Sequence, residues 1–257
     1  MNSPHPTVGD LEGRATHLAE VLTGLDTVVV AFSGGVDSSL LAHAAHRVLG
    51  RRAIAVTAVS PSLAATERED CRRLASSWGM AHLEVDTAEL DDPRYRANDG
   101  ERCYWCKSAL MDALGPLAAE RDATVVLGVN LDDLDDHRPG QRAAAERGAR
   151  FPLVDAGLDK AGVRAMARWE GLAVWDKPAA PCLASRLPYG TPVSVALLSE
   201  VERAERAVRD LGHRDVRVRH YGPRARVELP LGALADLGEN DRTSVVDTVQ
   251  AEGFADV

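Results

Sequence analysis

Val28–Ser39 reads VVVAFSGGVDSS. Thr27–Phe32 is a continuous apolar run rich in β-branched residues, the pattern of a strand buried on both faces. Two glycines follow, and a helix opens near Asp37–Ser39. Gly34 and Gly35 let the backbone turn tightly and approach a ligand closely. Their N–H groups, with those of Val36 and Asp37, point into the space above a helix N-terminus, where the helix dipole favours an anion. Ser33, Ser38 and Ser39 add hydroxyl donors. Asp37 would repel a phosphate directly, so its expected task is to hold Mg²⁺ against phosphates. The turn lacks the lysine of a Walker A loop and the glycine spacing of a Rossmann fingerprint, which excludes both.

Working outward, helices and strands alternate. Leu11–Leu22 is an amphipathic helix after a loose tail at 1–9, and Leu40–Leu49 continues the helix behind the glycine turn. Strands are expected at Ala53–Val59, His82–Val85 and Thr124–Val129, and helices at Thr66–Trp78 and Lys107–Arg121. Asp159 can cap a helix running to about Trp169. This alternation predicts an α/β fold with a doubly wound parallel sheet covered on both faces. After residue 176 the rhythm changes. KPAAPCLASRLPYGTPV carries four prolines in seventeen residues and reads as a loop. A helix at about Ser194–Leu211, strands at Val216–Arg219 and Arg226–Leu229, and a helix at about Arg242–Glu252 follow. This αββα segment is read as a small α+β domain, residues 191–257, after a first domain of residues 1–190.

The chain has 257 residues, 45% hydrophobic and 27% charged, with net charge −9. That apolar share excludes a disordered chain. Four cysteines in this length exclude a secreted disulfide scaffold. No apolar run approaches the ~20 residues that span a bilayer. MNSPHPTVGD does not read as a signal peptide, so the expectation is a cytoplasmic protein without membrane partners. The acidic total argues against a nucleic-acid binder, because phosphate neutralisation dominates such binding. Of the 30 basic residues only Lys107, Lys160 and Lys177 are lysines. Residues 202–226 hold eight arginines against four acids, a local charge of +4. Arg217 and Arg219 alternate on a predicted strand and share a face. Guanidinium groups match phosphate bidentately.

Cys71 falls on the apolar face of its helix and reads as a core residue. Cys103 and Cys106 form a CxxC at a helix start, and Cys182 lies in the proline-rich loop. Such a loop can fold back over the strand ends, where doubly wound sheets bind ligands. Three thiolates around one point can hold an iron–sulfur cluster with one iron open, or zinc, or a sulfur donor with its redox partners.

SGGVDSS resembles the pyrophosphate loop (PP-loop) of the ATP-pyrophosphatase superfamily, with its adenine nucleotide alpha hydrolase-like fold. That superfamily includes GMP synthetase, NAD synthetase, asparagine synthetase and thiolating enzymes. The resemblance implies a loop that grips the β,γ-pyrophosphate of ATP while AMP moves onto a substrate oxygen. CYWCK, GVNLDDLDDHRPG, PCLASRLPYG and RVRHYGPRARVEL, in this order, resemble the LarE-type sulfur transferases, over about residues 11–253. This resemblance implies ATP-dependent adenylation of a carboxylate of pyridinium-3,5-biscarboxylic acid mononucleotide, then replacement of its oxygen by sulfur, in nickel-pincer nucleotide synthesis. It implies ATP with Mg²⁺ at Ser33–Ser39. It further implies sulfur chemistry at Cys103, Cys106 and Cys182, with a [4Fe-4S] cluster on these three or a sacrificial Cys182. Ser185, Arg186, Arg217 and Arg219 are expected to hold the substrate phosphate, and Glu205, Glu228 and Asp236 match positions proposed to bind a divalent metal. Asn130, Asp133 and Asp136 sit where the ATP site should be, while Leu131 and His137 depart from the family's usual residues. A homo-oligomer, a hexamer by resemblance, is expected. A tRNA-thiolating enzyme and a non-catalytic nucleotide- or metal-binding module remain as alternatives.

Overall fold

The computed structural model describes residues 7–134 and 138–257, so Asp136 and His137 lie outside the described residues. Its contacts divide the chain into two compact units. The first comprises the chain up to Ser60, Ala65–Glu89 and Cys103–Ala180. The second gathers Pro61–Ala64 and Leu90–Arg102 with Pro181–Val257.

In chain order the elements are α1 (Val8–Leu25), β1 (Val28–Ala31), α2 (Val36–Leu49), β2 (Ala53–Val59), α3 (Ala65–Ser77) and β3 (His82–Asp86). Next come α4 (Pro93–Arg96), α5 (Arg102–Glu120), β4 (Thr124–Leu127), α6 (Pro139–Glu146), α7 (Pro152–Asp155) and α8 (Lys160–Trp169). The last are α9 (Val195–Asp210), β5 (Arg217–Tyr221), β6 (Arg224–Glu228), α10 (Leu231–Ala235) and α11 (Glu239–Ala251). The alternation read from the sequence is present, with α1 and α5 starting earlier than read and the short helices α4, α7 and α10 added. α1 begins at Val8, because Thr7 and Asp10 form a capping box: Thr7 Oγ1 accepts from Asp10 N at 3.3 Å, and Asp10 Oδ2 accepts from Thr7 N at 3.0 Å.

The four strands of the first unit form a parallel sheet in the order β3-β2-β1-β4. Val28 pairs with Ala53 on one side and Thr124 on the other. Both faces are covered, which is why β1 is apolar throughout: Val28, Val29 and Val30 are each fully buried. Val28 and Val30 pack with α1, α2 and α8 residues such as Leu18, Leu41 and Val163. Val29 points into the opposite layer with Leu110, Leu114 and Ala144 of α5 and α6. The α2 crossover takes the chain from β1 to β2, and the later return places β4 on the other flank of β1. The strand order therefore reverses beside β1, and in open α/β sheets ligands bind at the strand C-termini at such a point.

In the second unit α9 and α11 pack with the antiparallel hairpin β5–β6 around Val208, Val218, Val249 and Phe254. The proline-rich segment is tied down. Asn98 is fully buried and sits at φ 53°. Its Nδ2 donates to the Pro188 and Thr191 carbonyls, both at 2.8 Å, and its Oδ1 accepts from buried Arg102 at 2.5 Å. Arg102 also donates to the Ala184 carbonyl at 2.8 Å. Four prolines lower the unfolded chain's freedom, and this hub supplies the hydrogen bonds that prolines cannot donate.

Asn98→Ala removes three hydrogen bonds of a buried side chain and replaces asparagine, which tolerates positive φ, with alanine, which tolerates it less. The expected cost is about 3 kcal/mol or more, read as a shift in the urea midpoint.

Candidate active site

The loop expected to cradle an anion lies at the switch point of the first unit's sheet. β1 ends at Ala31, the chain turns at Gly34 (φ 69°), and Gly35 is the N-cap of α2. A β-carbon at Gly34 would lie 3.1 Å from Cys71 Sγ, so α3 packs directly under the turn. Cys71 is fully buried in the core, as the sequence reading expected. Burial pushes its thiol up to about 11. The serines cross-brace the loop. Ser38 Oγ accepts from Ser33 N at 3.2 Å, lies 3.0 Å from Ser33 Oγ and donates to the Gly35 carbonyl at 3.2 Å. Ser39 Oγ is buried without a hydrogen-bond partner among the described residues. Ser33, Gly35 and Asp37 are the accessible members of the loop, and Val36, Ser38 and Ser39 are buried behind them.

The chain leaving β4 meets this loop almost backbone to backbone. A β-carbon at Gly128 would lie 2.6 Å from Ser38 N and 2.8 Å from the Asp37 carbonyl carbon, a separation that only glycine permits. Two residues on, buried Asn130 donates from Nδ2 to Asp37 Oδ1 at 3.0 Å. Asn130 is itself locked as a cap, accepting from Asp132 N at 3.1 Å, while Asp133 accepts from Asn130 N at 3.1 Å and pairs with Arg138 at 2.8 Å. The other Asp37 oxygen accepts from Lys160 Nζ at 2.6 Å. Lys160 is the first residue of α8, capped by Asp159. A lysine there faces the positive end of its own helix dipole, an unfavourable place that Asp37 answers.

The sequence reading did not assign Gly128, Lys160 or Lys177 to the site. Lys177 Nζ lies 2.8 Å from Glu67 Oε2, 2.9 Å from Asp70 Oδ2 and 3.4 Å from the Gly34 carbonyl oxygen. A signal was present: three lysines among 30 basic residues, one of them at a helix N-terminus.

Cys103 and Cys106 lie in the first turn of α5, three residues apart on neighbouring positions of one face. Cys103 is exposed and Cys106 partly so. Gly140, early in α6, packs on this turn: a β-carbon there would lie 3.0 Å from the Cys103 carbonyl oxygen and 2.9 Å from Lys107 Cγ. A cavity of about 480 Å³ in the same unit is lined by Thr27, Ala81 and Arg121, at the N-terminal ends of the strands and so away from this chemistry.

In the second unit Cys182 caps a 3-10 turn, Leu183–Arg186, and is exposed. Arg186 winds back over that turn, donating to the carbonyls of Pro181 and, at 3.2 Å, Cys182, and to Ser185 Oγ at 3.2 Å. Its other edge forms a buried ion pair with Glu205 at 2.8 Å. Glu205 is completely buried and also accepts from Arg209 at 2.7 Å and Val218 N at 3.1 Å. Arg217 and Arg219 are half-buried on one face of β5, alternating with buried Val218 and His220. Arg219 donates to the Ser185 carbonyl at 3.2 Å and to Glu228 at 2.8 Å. The Arg219 hydrogen bond holds the Glu228 carboxyl below its usual range. Asp236 is exposed at the end of α10. Within each unit, no three His, Cys, Asp or Glu side chains among the described residues are grouped to hold a metal ion. No disulfide joins the four cysteines, and no described helix is long and apolar enough to cross a membrane.

A family model described as NAD synthase matches residues 17–99, which contain the cradle. The chain is 38% identical over 248 residues to the pyridinium-3,5-bisthiocarboxylic acid mononucleotide synthase of Lactiplantibacillus plantarum, covering 95% of this chain and 89% of that protein. It is 49% identical over 246 residues to an uncharacterised protein of Synechocystis sp., covering 95% and 92%. It is 25% identical over 233 residues to an uncharacterised protein of Methanocaldococcus jannaschii, covering 90% and 87%.

Gly128→Ala is expected to displace the first turn of α2 and weaken ATP binding by about ten-fold or more, measured by equilibrium titration. Iodoacetamide at pH 8 is expected to label Cys103 and Cys182 well before buried Cys71, whose thiolate is scarce below its raised pKa, as peptide mass mapping would read.

Proposed function

The chain belongs to the LarE-type family, that of the pyridinium-3,5-bisthiocarboxylic acid mononucleotide synthase, and from that premise we propose that it is an ATP-dependent sulfur transferase acting on a pyridinium mononucleotide carboxylate. The observation that carries this reading is the end-to-end likeness, 95% of this chain against 89% of the synthase.

Ser33–Ser39 grips the β,γ-pyrophosphate of ATP, with backbone N–H groups and the α2 dipole facing the anion. Asp37, held by Asn130, supplies the carboxylate for Mg²⁺. Lys160, which otherwise neutralises Asp37, then becomes a cation for the polyphosphate. A substrate carboxylate oxygen attacks the α-phosphorus of ATP, the bond to the β-phosphate oxygen breaks, and pyrophosphate leaves. Sulfide then attacks the acyl carbon, and AMP departs with the former carboxylate oxygen, leaving a thiocarboxylate. Adenylation thus converts a poor leaving oxygen into a good one.

Cys103, Cys106 and Cys182 handle the sulfur, and their all-thiolate chemistry suits iron. A [4Fe-4S] cluster on these three would supply an open iron able to carry sulfide. Ser185, Arg217 and Arg219 offer contacts to the substrate's phosphate, and Arg186, whose donors go to Glu205 and to the turn, holds the turn that presents Ser185. The substrate is a small molecule, and the protein works as a cytoplasmic homo-oligomer.

Anaerobic purification with iron and sulfide counted tests the sulfur chemistry. About four of each per chain are expected, lost in Cys103→Ala, Cys106→Ala and Cys182→Ala. Absence of iron, with loss of one H₂S from Cys182 after turnover, would assign the sulfur to Cys182 itself. Pyrophosphate release should require the pyridinium mononucleotide; its absence with Mg-ATP and that substrate would overturn the reading.

A further inference from the structure

Lys177 reaches the phosphate cradle from behind. Its side chain is 17% exposed, and Nζ contacts Glu67 Oε2 at 2.8 Å, Asp70 Oδ2 at 2.9 Å and the Gly34 carbonyl oxygen at 3.4 Å. The two carboxylates come from α3, which packs under the turn through Cys71. The third acceptor belongs to the cradle itself. Gly34, at φ 69°, is the residue whose peptide leads into the helix N-cap.

A trans peptide is planar, so its C=O and N–H point in opposite directions. No cis peptide occurs among the described residues. A cation seated on the Gly34 carbonyl therefore fixes the direction of the Gly35 N–H, a donor at the mouth of the cradle. We propose that Lys177 is a positioning residue for ATP: it anchors the Gly34–Gly35 peptide so that the Gly35 N–H is pre-aimed at the pyrophosphate.

The charge needed for this is secure. Burial disfavours the ammonium, yet hydrogen bonds to Glu67 and Asp70 raise its pKa above the ordinary value. The residue type also fits. A lysine ammonium is a compact point charge that can serve three acceptors at once from different directions, whereas the guanidinium is a planar fork suited to carboxylates. The protein elsewhere fastens α3 with arginine forks: Arg68 and Arg72 both grip Glu84, each with an oxygen at 2.7 Å. Among the described residues, the cation whose partner set includes a cradle carbonyl is a lysine.

The inference rests on reading Ser33–Ser39 as the ATP cradle, and the test separates the two. Mg-ATP is titrated calorimetrically into wild type, Lys177→Arg and Lys177→Met, with nucleotide-free thermal midpoints measured alongside. Wild type binds, and Lys177→Arg keeps the midpoint within a few degrees, because arginine still pairs with Glu67 and Asp70. Its ATP affinity nevertheless falls by about ten-fold, and that of Lys177→Met by at least as much. Wild-type affinity in Lys177→Arg would overturn the positioning role, as would wild-type affinity in Lys177→Met. Should Lys177→Met fail to fold, Lys177→Arg alone decides. Failure of wild type to bind Mg-ATP would instead overturn the reading of the cradle.

Discussion

The near-contact between Gly128 and the first turn of α2 is the constraint on which the cradle depends. The backbone just past the end of β4 runs so close to Ser38 N that a single methyl group would collide with it. That approach brings Asn130 within reach of Asp37. It also leaves Asp37 between a neutral amide and the ammonium of Lys160. The strand order, with β4 returning beside β1, makes the approach geometrically available. The geometry of the acidic side chain at the cradle is thus set by packing of main chain on main chain, the least compressible contact in a protein interior.

Charge is used in two ways. Most cations are arginines, and many act as forks between elements. Arg68 and Arg72 on Glu84 join α3 to β3, and their hydrogen bonds hold the Glu84 carboxyl down to about 2. Lys160 and Lys177 instead place point charges on the loop that is read as the phosphate site. The distinction is physical: a fork is specific for a planar carboxylate, while an ammonium can exchange one oxygen partner for another with little change in geometry.

The turn bearing Cys182 is held by a buried charge network. Arg186 and Glu205 lose most of their hydration, and only a complete set of partners offsets that loss. Glu205 accepts from Arg186, Arg209 and Val218 N, and Arg186 spends its remaining donors on the turn. Removing either partner would strand a buried charge, so the presentation of Cys182 is coupled to the packing of α9 and β5.

By itself the sequence determined the parallel α/β alternation, the glycine turn after a doubly buried strand and the pairing of Arg217 with Arg219 on one face. It also determined the core placement of Cys71. These follow from periodicity, capping and turn chemistry, which act within a few residues. It even contained the Thr7–Asp10 box that starts α1, although the apolar pattern alone begins later. Tertiary structure decided the rest. Lys160 meets Asp37 across 123 positions, Lys177 meets Gly34 across 143, and Asn98 meets Thr191 across 93. It also assembled the second unit from three separate stretches of chain. Which distant group satisfies a buried donor or charge depends on where the sheet order and helix packing bring it, and no local pattern encodes that.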